Sequence, residues 1–218
     1  MQKNTPSFQK ALLKYTSKPN LSKFQATSIA IAGAGGIGSN IAILLTRLGF
    51  DRFEIVDHDV VEASNLNRQV YNLEDIGTKK VFALQKHLNL INPKISLKLH
   101  DNLWKADNAE RFFDKCDILI DAFDCALTKQ EIIQCYESKI PNIISCNGIG
   151  FPDTTYFNPI KKLRNIFFVG DNSTDTTLKS NPPLPQRVLF IASIIVEVVR
   201  CIVLDEALPF STSNKPKN

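Results

Sequence analysis

IAIAGAGGIGSN, residues Ile29 to Asn40, carries more structural information than any other part of the chain. Ile29 to Ala32 are small and β-branched residues that suit a buried strand. Gly33, Gly35 and Gly38 then fall at G-x-G-x-x-G spacing, with an extra glycine at Gly36, before an apolar helix begins. Between a strand and a helix, that spacing marks a phosphate-binding turn. Gly33 permits the tight turn, Gly35 and Gly36 let the backbone approach a polyphosphate, and Gly38 lets the helix pack closely on the strand. Free N–H groups in the helix's first turn, together with its dipole, face the anion. On its own the pattern most often serves a dinucleotide such as NAD or FAD, so its neighbours must identify the ligand.

Outward from the turn, IAILLTRLGF (Ile41 to Phe50) has apolar residues at helical spacing and ends beside Gly49, and RFEIVD (Arg52 to Asp57) follows as a second strand. Asp57 lies about twenty residues past the glycines, at the carboxyl end of that strand, where an acidic side chain accepts the hydroxyls of a ribose. The polar loop DHDVVEASNLNRQVYNLEDIGTKK, Asp57 to Lys80, brings Asp59, Asn65, Asn67, Arg68 and Gln69 close behind, with Lys80 opening the next helix. A dinucleotide needs no such cluster. A triphosphate about to lose pyrophosphate does, because the charge developing on its oxygens requires added cations and donors, and Arg68 and Lys80 meet that need.

Helix VFALQKHLNLI (Val81 to Ile91) stops at Asn92-Pro93, ISLKLHD alternates as a third strand, and a helix is expected from Asp107 to Phe113. CDILID, Cys116 to Asp121, is a fourth strand that leads into AFDCALTKQEII. Asp124 lies just past its carboxyl end, on the ligand side of a doubly wound sheet. A carboxylate there suits Mg²⁺, or alternatively caps the helix from Ala126. IPNIISCNGIG supplies a fifth strand ending near Gly150. TTYF and NIFFV are expected to extend the sheet as antiparallel strands, Asp171 to Pro183 to form a loop, and Gln186 to about Leu204 a buried helix. The fold class is thus α/β, a Rossmann-like doubly wound, mainly parallel sheet with an antiparallel C-terminal extension. Residues 1–26 form an N-terminal helical arm, with a helix near Phe8 to Tyr15 and a link broken by Pro19. Residues 27–208 form the nucleotide-binding domain, and 209–218 a disordered tail.

The chain has 218 residues, 44% hydrophobic and 22% charged, which suits one soluble domain and no repeat architecture. A net charge of +4 gives no footprint for nucleic acid. No signal-peptide core is present, and Glu197 and Arg200 interrupt the longest apolar run, so no membrane span and a cytoplasmic location are expected. Five cysteines without a C-x-x-C pair argue against disulfides and zinc.

GAGGIGSN, DHDVVEASNLNRQ, Lys80 after IGTK, and DAFD before a helix together resemble the ThiF/MoeB/HesA adenylyltransferases, relatives of the ubiquitin-activating enzymes. The resemblance runs from about Ile29 to Leu204. Its short zinc-free branch, the ThiS adenylyltransferases, is most similar through DAFD-x-x-x-TK, the VGD at Val169 to Asp171 and the PQRV around Arg187. It implies an adenylation domain that uses ATP and Mg²⁺ to adenylate the C-terminal glycine of a small ubiquitin-like sulfur carrier ending in Gly-Gly, for thiamine biosynthesis, without zinc. It further implies that Gly33, Gly35, Gly36 and Gly38 hold the nucleotide, Asp57 the ribose, and Asp59 and Asn65 shape the phosphate pocket. Arg68, Gln69 and Lys80 contact phosphates, and Asp124 binds Mg²⁺. A homodimer and a separate sulfur donor follow from the same likeness, since the chain has no catalytic-cysteine domain.

Two departures stand out. No arginine precedes Arg47, so the arginine that many relatives lend across a dimer is replaced at best by Lys14, which cannot make the same bidentate contact. Cys125 stands where the family usually has asparagine, as a tolerated small residue or a reactive thiol. Other expectations in the same fold are activation of a molybdopterin-type carrier or peptide precursor, action on a modified tRNA base, and a nucleotide-binding module without turnover. A nicotinamide oxidoreductase is the remaining alternative.

Overall fold

In the computed structural model, residues 8–113, 115–148, 159–171 and 182–210 are described. Two short helices, α1 (Phe8–Leu12) and α2 (Lys18–Ala26), lead into strand β1 (Ile29–Ala32), helix α3 (Gly36–Leu48) and strand β2 (Arg52–Val56). Helix α4 (Lys80–Ile91), strands β3 (Ser96–His100) and β4 (Ile118–Asp121), helix α5 (Ala126–Tyr136) and strand β5 (Asn142–Cys146) continue the alternation. An edge pair, β6 (Ile160–Leu163) and β7 (Ile166–Val169), and the long helix α6 (Pro185–Leu204) complete it.

The strands lie in the order β3-β2-β1-β4-β5-β7-β6, and every neighbouring pair is parallel except β6 with β7. Period-two alternation divides the core. Ile29, Ile31, Ile55, Ile118, Ile120 and Ile144 face one side, where Phe24 of α2, Leu45 of α3, Leu84 of α4 and Ile195 of α6 cover them. Ala30, Ala32, Leu119 and Ile143 face the other, under Ile132 and Tyr136 of α5 and the aromatic group Trp104, Phe112 and Phe113. β1 and β4, central and covered on both faces, are continuously buried, whereas the edge strand β3 is not. Truncating a fully buried side chain such as Leu45 to alanine costs about 2–5 kcal/mol.

Sheet register sets the position of the site. Ala32 pairs with Val56 on one side and with Asp121 on the other, so Gly33, Asp57 and Ala122 leave the sheet side by side. The strand order reverses at β1, making that spot the topological switch point where open α/β sheets bind ligands.

Several expectations are corrected. Pro19 does not break a link but sits in the first turn of α2, where its missing N–H costs nothing; Ser17 caps that helix by accepting the Asn20 N–H at 3.3 Å. The arm is therefore two helices, and α1 stops at Leu12. The segment NIFFV runs parallel to β5, and only β6 is antiparallel, because alternation specifies a strand's faces and not its direction. Ala106–Arg111 forms 3-10 turns in place of the helix expected from Asp107 to Phe113. TTYF, the loop within Asp171 to Pro183 except its ends, Gly150, and the tail beyond Phe210 lie outside the described residues. Among the described residues no helix is long and apolar enough to cross a membrane.

Candidate functional site

The glycine turn is built as its spacing requires. Gly33 has φ +100°, a left-handed value, and a Cβ there would lie 3.1 Å from the Ala122 carbonyl oxygen, so a side chain meets both strain and the β4 loop. A Cβ on Gly38 would overlap the Gly33 carbonyl, which is the close helix–strand approach. At Gly35, the N-cap of α3, nothing lies within 4 Å, leaving its backbone open to a ligand. Gly36 is tighter, with Val188 and Arg68 side chains 3.4 and 3.6 Å from a Cβ position.

Asp57 follows β2 and is buried. Its Oδ2 accepts the Ala34 N–H at 2.7 Å and its Oδ1 the Asp59 N–H at 2.8 Å. Each oxygen keeps a second lone pair for a ligand hydroxyl. Lys80, also buried, donates from Nζ to Asp59 Oδ2 at 2.7 Å. Burial pushes the Asp59 carboxyl up, but the hydrogen bond and charge of Lys80, with His58 and Lys79 nearby, outweigh it and hold Asp59 below its usual range. Asp57, His58 and Asp59 bring ligating atoms within 4.8 Å of one another, yet backbone amides and the Lys80 ammonium already occupy both carboxylates.

The loop from Glu62 folds back over the glycines. Asn65 accepts the Glu62 N–H on Oδ1 at 3.1 Å and so shapes a 3-10 turn. Arg68 donates from Nη1 to the Ser64 carbonyl at 3.1 Å and to Asn67 Oδ1 at 2.9 Å; no carboxylate pairs with it among the described residues. Gln69 has a buried Oε1 without a partner. Ser39 and Asn40, at the end of the glycine motif, pin this loop: Ser39 Oγ accepts the Val70 N–H at 3.4 Å, and Asn40 Nδ2 donates to the Gly36 and Arg68 carbonyls at 2.7 and 2.9 Å.

Across the switch point, Asp124 is exposed and has no hydrogen-bond or ion-pair partner among the described residues. It is not the cap of α5; Cys125 occupies the N-cap position, so the capping alternative falls. The exposed Cys125 thiol is drawn below its usual range by the Thr128 backbone amide, the Thr128 hydroxyl and the Leu127 amide. Beneath this loop Asp121, fully buried, accepts the Ser145 hydroxyl at 2.6 Å, the Lys129 ammonium at 3.3 Å and the Phe123 N–H at 3.3 Å. Asp121, Lys129 and Ser145 are absent from the sequence-based candidates, as are Ser39, Asn40 and Tyr71, whose hydroxyl reaches the Ala34 carbonyl at 2.7 Å. The only sequence signal for Asp121 is an acid ending an apolar strand.

Gly33, Gly35, Gly36, Gly38, Asp57, Asp59, Asn65, Arg68, Gln69 and Lys80 therefore lie on the segments that follow β1 and β2, and Asp124 belongs to the loop after β4 that approaches Gly33 from the other side. A separate cleft of about 410 Å³, lined by Lys23, Thr27, Asp117, Asn142 and Ile202, opens at the opposite, amino-terminal ends of β1, β4 and β5. Lys14, in the N-terminal arm, is exposed.

The chain is 32% identical to ubiquitin-like modifier-activating enzyme 5 of Gallus gallus over 132 residues, 59% of this chain and 33% of that protein. It is 35% identical to a probable molybdopterin-synthase adenylyltransferase of Porphyra purpurea over 103 residues, 47% of this chain and 27% of that protein. The matches thus span about a quarter to a third of these relatives' lengths. Among solved structures, the E. coli tRNA N6-threonylcarbamoyladenosine dehydratase TcdA in complex with ATP superposes with a TM-score of 0.75 at 20% identity, covering 89% of this chain and 93% of that one. E. coli MccB with ATP gives 0.68 at 18% identity, covering 95% and 67%, and at such identities the likeness is one of fold. Since the ThiF family profile matches residues 8–178, well over half of its length, the chain belongs to the ThiF family.

Proposed function

We propose that the protein uses ATP and Mg²⁺ to adenylate the C-terminal glycine carboxylate of a small ubiquitin-like sulfur carrier ending in Gly-Gly. One observation supports this: the register brings Gly33, Asp57 and the start of the loop that carries Asp124 to one edge of the sheet, with Lys80 bonded to Asp59 and the Arg68 side chain beside Gly36. A nicotinamide site has no use for Arg68, Lys80 and Asp124 together. ThiF-family membership and the adenylyltransferase names of relatives support the same chemistry.

In the proposed reaction a carrier carboxylate oxygen attacks the α-phosphorus of ATP. A bond forms between them, the α–β bridging P–O bond breaks, and pyrophosphate leaves with its electron pair. The carboxylate is already a nucleophile at neutral pH, so alignment and charge stabilisation suffice without a general base. The open backbone at Gly35 receives phosphate oxygens, the remaining lone pairs of Asp57 take ribose hydroxyls, and Gln69 Oε1 offers a buried acceptor to a ligand donor. Arg68 moves from the Ser64 carbonyl to the reacting phosphate, and Lys80 shares its ammonium between Asp59 and the polyphosphate. Asp124 fits Mg²⁺ because its carboxylate is free and exposed at the right edge of the sheet. When bound, the metal neutralises phosphate charge.

The finer reading is a ThiS-type carrier of thiamine biosynthesis, supported by the DAFD-x-x-x-TK and PQRV strings. A homodimer and a separate sulfur donor belong to the same proposal. Mixing the protein with Mg·ATP and a ThiS-type carrier should yield carrier whose mass is raised by one adenylate, and the protein should bind ATP in preference to NAD. Tight NAD binding without adenylated carrier would overturn the proposal; adenylation of a molybdopterin-type carrier alone would reassign only the pathway.

A further inference from the structure

Five residues close a ring of hydrogen bonds that no single motif contains. Asp57 accepts the N–H groups of Ala34 and Asp59. Asp59 accepts the Lys80 N–H on its carbonyl at 2.9 Å and the Lys80 ammonium on its carboxylate at 2.7 Å. Tyr71 completes the circuit, its hydroxyl lying 2.7 Å from the Ala34 carbonyl and 3.3 Å from the Lys80 carbonyl. A phenol has one proton, so the shorter contact is its main bond and the longer a shared one. Ala34, the residue between the first two glycines, is thus held on both its N–H and its C=O.

We propose that Tyr71 is a positioning residue whose hydroxyl locks the glycine turn to the first turn of α4, so that the turn's amides and Lys80 meet a polyphosphate as one rigid unit. The inference rests on the nucleotide site proposed above and adds a residue to it. Three features support the role. Tyr71 is only 4% exposed, and a buried hydroxyl is costly unless it bonds. Burial first, then the charges of Asp57, Asp75 and Asp59, push the phenol upward in pKa, so it stays a donor throughout the physiological range. Its acceptors are 37 and 9 residues away, on the two elements that carry the open glycine backbone and the buried cation. Fixing these before the nucleotide arrives removes an ordering cost from binding.

The test compares the full chain with Tyr71→Phe, which removes only the hydroxyl, and Tyr71→Leu, which also removes the ring. ATP and AMP affinities are titrated, and amide hydrogen exchange is followed at Ala34 and Lys80 in free protein. Tyr71→Phe should weaken ATP about tenfold, AMP distinctly less because it lacks the outer phosphates, and should accelerate exchange at both amides together. A Phe variant that exchanges like the parent, with impairment confined to the Leu variant, would reduce Tyr71 to packing and overturn the inference. Equal weakening of ATP and AMP would also contradict it. If the parent binds neither nucleotide, the proposed function fails, and exchange in Tyr71→Phe still decides whether the lock exists.

Discussion

Asp57 and Asp124 both follow parallel strands at the same edge of the sheet, Asp57 directly after β2 and Asp124 in the loop after β4, yet the protein treats them oppositely. Asp57 is buried with two backbone amides on its carboxylate, whereas Asp124 is exposed and has no hydrogen-bond or ion-pair partner among the described residues. On the β2 side the polar groups are spent on one another: Asp57 holds the turn, Asp59 holds Lys80, and Tyr71 joins the two. On the β4 side the division is vertical. Asp121 fixes the loop from below through Ser145, Lys129 and the Phe123 amide, leaving Asp124 and Cys125 on the rim. One side is a network of polar groups bonded to one another around the glycine turn, and the other is a firm base with an exposed carboxylate above it. Residue type alone therefore does not assign a role; what a side chain is already bonded to does.

That contrast can be broken by substitution. The largest effect is expected at Arg68, whose guanidinium is committed, among the described residues, to a backbone carbonyl and an Asn side chain. Arg68→Ala should retain ATP binding and lose roughly 2.7–4 kcal/mol of transition-state stabilisation, a fall of about 10²–10³ in adenylation rate. An unchanged rate would make Arg68 a loop charge. Next comes Asp57→Asn, in which one amide oxygen replaces two acceptors and a buried N–H is left unmatched. A loss of about 1.5–3 kcal/mol and a melting temperature lower by roughly 3–10 °C are expected, readable by calorimetry without any ligand.

Asp124→Asn should be its mirror image. Stability should stay within the roughly ±0.5 kcal/mol typical of surface changes, while the Mg²⁺ concentration needed for half-maximal activity rises. If Asp124→Asn melts early, or Asp57→Asn does not, the assignment of network and rim is reversed. The smallest effect concerns acid. Asp59 is held below the usual carboxylate range, so the stability it adds is present above roughly pH 4 and is lost as the pH falls through its lower folded value. Its side chain is 49% exposed, so solvent screening leaves the Lys80 pair a modest contribution. Asp59→Asn should flatten the acid limb of a stability profile slightly, and an unaltered limb would show that the pair adds nothing.

Much of the fold was legible because its signals are local. The G-x-G-x-x-G spacing, the alternating strands and the apolar helices each depend on neighbours within a few residues, and Gly33 and Gly38 play their expected steric parts. The meeting of Gly33, Asp57 and the loop after β4 at one sheet edge was legible as well, since strand ends follow from element order. Less was readable where partners come from afar. Tyr71 looks like an ordinary core aromatic until Ala34, 37 residues away, accepts its hydroxyl. Asp121 looks like the end of a strand until Ser145, 24 residues later, and Lys129 close over it. The direction of β7 was hidden for a similar reason, because alternation is the same in either sense. Pro19 misled because a proline that ends one helix and a proline that starts the next are identical in sequence.

The most direct measurement of the central claim is the exchange of labelled pyrophosphate into ATP, with Mg²⁺, in the presence and absence of a folded carrier ending in Gly-Gly. Reversible formation of an acyl-adenylate at the crevice between β1 and β4 predicts exchange that requires the carrier and disappears in Arg68→Ala. Absence of exchange with every such carrier, in protein that binds ATP, would contradict adenylation and leave a nucleotide-binding module in its place.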